Sequence, residues 1–586
     1  MNALPSLLTG QLDIWTSAET EKKSGRGRSG GNGTSVYGIK KLRELILELA
    51  VRGKLVAQDM DDEPAGELLK RIRTEKTKLI AEGKIKKDKL LPPISDEEKP
   101  FELPQGWEWM KLGNLCRLEN GDRSKNYPNK SVLVEKGIPF VNAGHLENGR
   151  INRDEMTFIT QERYDLLRSG KFFNDDILYC LRGSLGKSAI VKSFDTGAIA
   201  SSLVIIRIYP NLSHHYFVDY FDSPLSFRMI KKYDNGTAQP NLSATDLEKF
   251  LIPLPPLPEQ HRIVAKVDEL MVLCDQLETQ HINAAEAHEK LISHLLGTLT
   301  QSQNADDFSA NWQRIAAYFD TLFTTETSID ALKQTLLQLA VMGKLVPQDS
   351  NDESVSELLK RIQAEKAKLM TEGKIKKDKP LPPITEEEKP FELPQGWERA
   401  RVGNLFEVTS GESFDISVEQ DSGRYAYVKV GDMNLPENET VIKTSSRFVN
   451  PTEREHRGII PANSVIFPKR GGAIATNKKR LVVSEIFVDL NIMAITVPKS
   501  ISLLYAFQWL SGIDLALLNT GTSVPQINHK DIEPLIFPLP PLPEQHRIVA
   551  KVDELMALCD QLKSRITQAS QLQQKLADVI VEQAIV

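Results

Sequence analysis

Cysteine is scarce in this 586-residue chain: there are four, Cys116, Cys180, Cys274 and Cys559, far apart and never in a Cys-x-x-Cys pair. That argues against a disulfide framework and a zinc site, and it fits a reducing cytoplasm. Long apolar runs are missing as well. None approaches the roughly 18 residues a membrane helix needs, and the N-terminus shows no signal-peptide pattern. Neither sign of charge dominates: 73 Lys and Arg against 79 Asp and Glu leave a net charge of -6. This counts against a protein that coats nucleic acid along its whole surface, but it leaves room for local basic patches. No Asn-Pro-Pro-aromatic methyltransferase motif and no His-Glu-x-x-His motif occurs, so the expectation is a chain without catalytic residues, metal or cofactor of its own.

What the chain does have is an internal repeat, the feature to seek first in a long sequence. Glu82–Lys89 (EGKIKKDK) and Lys99–Glu108 (KPFELPQGWE) return unchanged 290 positions later, as Glu372–Lys379 and Lys389–Glu398. Pro253–Met271 (PLPPLPEQHRIVAKVDELM) returns letter for letter as Pro538–Met556, 285 positions on. The sequence between these blocks, 109–250 and 399–536, shares almost no identity apart from a few anchors. Gly144 matches Gly431, and Ile177-Leu178-Tyr179 with Arg182-Gly183 matches Val465-Ile466-Phe467 with Arg470-Gly471. Drift after a duplication would spread the differences evenly. Their segregation points to two equal frames holding inserts with different jobs.

The frame reads as helical. Pro253–Pro258 suggests a short polyproline rod, with Pro258 at the first helical position and Glu259 complementing the helix N-terminus. Ile263, Val267, Leu270, Cys274 and Leu277 then step by four and three, as do Ile548, Val552, Leu555, Cys559 and Leu562. That spacing predicts long helices with a coiled-coil seam, about 40 residues reaching about 60 Å. Leu42–Val56 matches Leu332–Val346 and Glu67–Glu82 matches Glu357–Glu372, giving a pair of short helices before each insert. Both copies are satisfied equally if the C-terminal long helix meets the first short helices, a pseudo-two-fold circular arrangement. The chain then divides into an N-terminal segment with a flexible linker (1–37), a first helical frame (38–99), insert 1 (100–255), a central long helix (256–302), a connector and second frame (303–389), insert 2 (390–540) and a C-terminal long helix (541–586). The fold class is α+β, two α/β domains joined by long antiparallel coiled-coil helices.

Each insert, about 140 residues, is long enough for its own core. Reading a duplex needs cations for phosphates and Arg, Lys, Asn, Gln, Ser or Thr for base edges. Insert 1 offers Arg123, Lys125, Asn126, Lys130, Asn142, His145, Arg182, Ser184, Lys187 and Lys192. Insert 2 offers Lys429, Lys469, Arg470 and a dense run of Thr476, Asn477, Lys478, Lys479 and Arg480. A second pair of loops precedes the returning frame: Gly236–Leu242 with Thr237, Gln239 and Asn241, and Gly521–Ile527 with Thr522, Ser523 and Gln526. Gly183–Ser188 (GSLGKS) looks like a phosphate-binding loop, but its required first glycine is Leu181 and the second copy lacks the lysine. A turn presenting Arg182 and Lys187 is the better reading.

PQGWEWMKLGNL (104–115) and PQGWERARVGNL (394–405), opening inserts that end in PLPPLPEQHRIVAKVD, resemble the specificity subunit of Type I restriction-modification enzymes. The resemblance covers nearly the whole chain. It implies that each insert is a target-recognition domain reading half of a bipartite, asymmetric site in double-stranded DNA. It implies that the long helices fix the gap and bind two modification subunits, which carry S-adenosylmethionine and methylate adenine N6. Restriction subunits using ATP and Mg would join them, all in the cytoplasm and away from membranes. The family does not transfer individual base contacts, so the candidates above rest on residue type and placement. The rival reading is a coiled-coil adaptor that binds only proteins.

Overall fold

The structure is a computed structural model that describes residues 12–17, 20–21, 35–83, 91–192, 194–236, 239–303, 305–372, 381–450, 458–519 and 524–585. The flexible linker expected from residue 22, the lysine runs near 84–89 and 374–379, and Thr237, Thr522 and Ser523 lie outside these residues. The chain forms two compact units, residues 1–285 with 568–586, and residues 286–567. Each long helix, α3 (Leu257–Thr300) and α6 (Leu542–Ile585), is 44 residues and passes from one unit into the other.

In the first unit α1 (Tyr37–Val51) buries Ile39, Leu42, Leu45, Ile46, Leu49 and Ala50, the spacing of one helical face. It ends at Gly53, whose φ of +68° suits glycine. The Lys54 N–H then reaches back to the Leu49 carbonyl at 2.9 Å. Glycine is required there twice over, because a Cβ would stand 2.5 Å from Pro104 and 2.9 Å from Trp107 of the Pro-Gln-Gly-Trp turn. Gly343 ends α4 (Glu326–Val341) in the same way, against Pro394 and Trp397. Two blocks that repeat separately in the sequence therefore touch.

α1 runs antiparallel to the start of α3 and parallel to the end of α6. Arg43 pairs with Asp275 and Glu278 at 2.7 Å each, the Tyr37 hydroxyl donates to Asp578 at 2.8 Å, and Lys54 Nζ donates to the Ile585 carbonyl at 3.1 Å. The second unit repeats this with α4, the start of α6 and the end of α3. Lys563 pairs with Asp330 at 2.8 Å and Lys333 with Asp560. Lys344 Nζ donates to the Thr300 and Ser302 carbonyls at 2.9 Å each. Lys54 and Lys344 thus satisfy carbonyls that a helix C-terminus leaves open.

The helix seam is closed by the chain itself. Ile263, Val267, Leu270 and Cys274 are buried in the core that holds α1, with Leu277 at its edge. Ile548 and Val552 lie in the insert 2 core. Cys559, Leu555 and Leu562 pack with Ile292, Leu296 and Leu299.

Each insert is pinned at its ends by a two-stranded ribbon, Glu108–Lys111 with Leu251–Leu254, and Glu398–Arg401 with Ile536–Leu539. This corrects the expected polyproline rod: Pro253 and Leu254 are strand residues, and α3 begins at Leu257, one residue before Pro258. Pairing satisfies backbone groups that a rod would leave to water.

The inserts share a topology despite their divergence. Insert 1 has an antiparallel sheet in the order Ser188–Ile190, Ile177–Cys180, Leu203–Ile208, Cys116–Asn120. In insert 2 the order is Arg480–Val482, Ser464–Pro468, Ile492–Thr496, Glu407–Ser410. Beside each lies a smaller sheet built on one parallel pair, Ile138–Val141 with Thr196–Ile199, and Tyr425–Val428 with Phe487–Val488.

Candidate nucleic-acid interface

Topology gathers most candidates at one end of each larger sheet. In insert 1, Cys180 faces Leu203 and Asn120 faces Val204, so the chain leaves both strands at the same end. The segment with Arg123, Lys125 and Asn126 therefore starts beside the turn with Arg182, Ser184 and Lys187. Arg123, Lys125, Lys130, Arg182, Ser184 and Lys187 are exposed. Asp122, buried, accepts the N–H groups of Ser124 at 2.6 Å and Arg168 at 2.7 Å and so shapes the first segment. Asn126 spends its side-chain amide on the Leu166 carbonyl at 3.0 Å.

The Arg182 turn is braced by the later loop. Arg182 bridges Asn241, the Gly183 N–H donates to the Pro240 carbonyl at 3.0 Å, and the Leu242 N–H donates to the Leu181 carbonyl at 2.8 Å. Arg182 Nε donates to Asn241 Oδ1 at 3.1 Å, with Gln239 exposed alongside. Insert 2 builds the same ladder. Arg470 bridges Gln526, the Gly471 N–H donates to the Pro525 carbonyl at 2.8 Å, and the Ile527 N–H donates to the Lys469 carbonyl at 2.9 Å. Arg470 Nη2 lies 3.5 Å from Gln526 Oε1. The two loop motifs, read separately in the sequence, are one element in each insert.

Other candidates change role. His145 is 6% exposed. Its Nδ1 accepts the Asn142 N–H at 3.1 Å, its Nε2 lies 3.3 Å from the Glu155 carbonyl, and burial pushes its pKa down. It caps a turn, together with Asn142, whose Oδ1 accepts the Gly144 N–H at 2.8 Å. At the equivalent position Asp432 accepts the Lys429 N–H at 2.8 Å.

The dense basic run of insert 2 also dissolves. Lys479 is 4% exposed, donates to Asn477 Oδ1 and the Ile513 carbonyl at 2.7 Å each, and has its pKa pushed down to about 8 by burial. Asn477, at φ +51°, also accepts the Leu515 N–H at 2.9 Å. Arg480 donates to the Met433 and Lys479 carbonyls at 2.9 and 2.8 Å. Lys478 is bonded to Asn434, and the Thr476 hydroxyl to the Ala473 carbonyl at 2.7 Å. Lys469, its pKa lowered by burial, donates to Ser410 at 2.7 Å. Lys429 pairs with Glu419 at 2.6 Å, and so does Arg447 at 3.1 Å, a cation with no local motif to single it out.

Lys192 follows the strand antiparallel to Ile177–Cys180, so it leaves the sheet at the opposite end, paired with Asp175.

Among the described residues no group of three or more His, Cys, Asp and Glu could hold a metal ion, and no helix is long and apolar enough to cross a membrane.

Two α/β inserts, each presenting an amide-braced arginine from one end of a sheet, define a two-module protein of the nucleic-acid-recognition class. The Type I restriction modification DNA specificity domain matches residues 104–287 and 394–570. Over their full lengths, the chain is 40% identical to the EcoAI specificity subunit of Escherichia coli, a Type I restriction enzyme, and 39% identical to the EcoEI specificity subunit of the same organism. A chain from a solved type I R-M system is similar at 18% identity, covering 83% of this chain and 99% of that one, with a TM-score of 0.48, too low to add weight. The chain belongs to the Type I restriction-modification specificity family, and the adaptor reading is not favoured.

Proposed function

We propose that each insert reads one half of a bipartite, asymmetric DNA site and that the long helices fix the unread gap between the halves. The observation that carries this is the recurrence of one arginine–amide ladder, at the same end of the same sheet, in two inserts whose sequences otherwise diverge. A circular, pseudo-two-fold closure of the frame is part of the proposal. It is supported by the packing of residues 577–585 on α1 in one unit and of residues 292–299 beside α4 in the other. The helices also carry two modification subunits. Leu572, Leu576 and Val579, exposed at helical spacing on α6, are suited to such a contact because the seam residues are already occupied. Chemistry belongs to the partners: S-adenosylmethionine and adenine N6 methylation to the modification subunits, ATP and Mg to the restriction subunits.

The test is to map adenine methylation in DNA from cells making this chain with its modification subunit, then to exchange residues 109–250 for those of a related subunit. One half-site should change while the other half stays. Exchange of both halves, or of neither, overturns the modular reading.

A further inference from the structure

Two readers of different half-sites should differ where they discriminate bases. What they share has to serve something common to both halves, and the feature common to every base pair is the phosphate backbone. The shared element is narrow. Arg182-Gly183 and Arg470-Gly471 follow the same strand. Both glycines take a left-handed φ, +80° and +73°, and the arginine side chain meets an amide, Asn241 or Gln526, on the facing ladder. The flanks are not shared: insert 1 continues with exposed Ser184 and Lys187, whereas insert 2 enters a short 3-10 helix through Gly472 and Ala473. Beside Gly471 a Cβ would meet nothing within 4 Å, so the approach to the backbone there is open.

We infer that Arg182 with Asn241, and Arg470 with Gln526, are sequence-independent phosphate clamps, and that base discrimination lies in the unshared flanks. This rests on the proposal that the inserts read DNA. Each amide holds one edge of the guanidinium, which sets its direction, and the remaining N–H donors face outward to an anion. Phosphate contacts made this way position the duplex without selecting its sequence.

The experiment uses the full chain assembled with its modification subunits. Binding is measured across a salt series, to a duplex carrying the mapped site and to duplexes with single base pairs changed. Arg182→Ala and Arg470→Ala should each weaken binding about ten-fold on every duplex alike and flatten the log–log salt slope by about one. Arg182→Lys and Arg470→Lys, which keep the charge and guard against a folding defect, should retain the slope. Loss of discrimination at one base pair would make the arginine a base reader, and an unchanged affinity and slope would remove it from the interface. Either result overturns the clamp. A wild-type complex that binds all duplexes equally would instead sink the reading of the inserts as half-site readers, while the salt slope would still decide the clamp.

Discussion

The joint between insert and long helix is built twice from the same parts, and it differs at one position. In both units a tryptophan donates to a buried glutamate of the long helix at 2.9 Å, Trp107 to Glu259 and Trp397 to Glu544. Gln58 and Gln348 hold the other carboxylate oxygen at 2.8 and 3.1 Å. The N–H groups of Ser213 and Ser502 donate to Gln260 and Gln545 at 2.9 Å each. One turn further along the insert helix, Gln508 donates its amide to Asp553 at 3.0 Å, but the first unit sets Asp219 near Asp268. Burial first, and then the charges of Asp268 and Asp222, push the Asp219 carboxyl well above the usual range. One of its oxygens is buried without a hydrogen-bond partner. Burial likewise pushes Asp222 up to about 6. An amide satisfies the long-helix aspartate at any pH, whereas an acid does so only while it holds a proton.

The strongest way to break the comparison is to attack what the joints have in common. Glu259→Ala and Glu544→Ala each strand an indole N–H and a glutamine amide, and each should cost about 3 kcal/mol in urea unfolding. A clear inequality would show that the joints are not equivalent. The next effect belongs to one unit alone. Glu48, buried, takes Arg52 and Arg228 at 2.8 Å each, whereas its counterpart Gln338 is exposed. Glu48→Ala should cost ~2 kcal/mol and Gln338→Ala less than ~0.5 kcal/mol.

The third prediction concerns pH. A carboxyl whose pKa is raised on folding contributes stability that is present below its unfolded value of 3.8 and is lost as pH rises through the folded value, about 6 for Asp222. Hydrogen exchange should therefore show the helix His214–Phe221 loosening relative to Leu503–Ser511 as pH rises from 4 to 8. Asp219→Asn should remove part of that dependence and stabilise the protein by ~1 kcal/mol at pH 8 and not at pH 4, with Gln508→Asp doing the reverse. An identical pH response in the two helices would refute the assignment. The smallest effect is expected from Lys192→Ala, which breaks an exposed ion pair: below ~0.5 kcal/mol in stability, and no change in DNA affinity if the opposite end of the sheet is the interface.

Much of the frame was legible because its signals are local. Periodicity at Ile263, Val267, Leu270 and Cys274 reports a buried helical face wherever the partner lies, and the repeated Pro-Gln-Gly-Trp turn marks where each insert begins. The inserts were less legible. Their strands could be read, but not the shared order of strands, since pairing across more than 80 residues, as between Cys116–Asn120 and Leu203–Ile208, leaves no local mark. Charged residues were the least legible of all. Lys479 and Arg480 read as a basic surface because their neighbours in sequence are Lys478 and Asn477. The groups that bury and satisfy them, the Ile513 and Met433 carbonyls, come from 34 and 47 residues away.

Sequence by itself determined that two equal frames carry two unequal inserts and which helical faces are buried, since identity between copies and the spacing of apolar residues are properties of the chain read in order. Tertiary structure alone decided which arginines stand free at the sheet end, that Arg182 meets Asn241 as Arg470 meets Gln526, and that residues 568–585 pack within the unit of residue 37. Each of these depends on where distant segments meet, and a side chain becomes a ligand, a cap or a buried cation according to which carbonyl or carboxylate the fold brings to it.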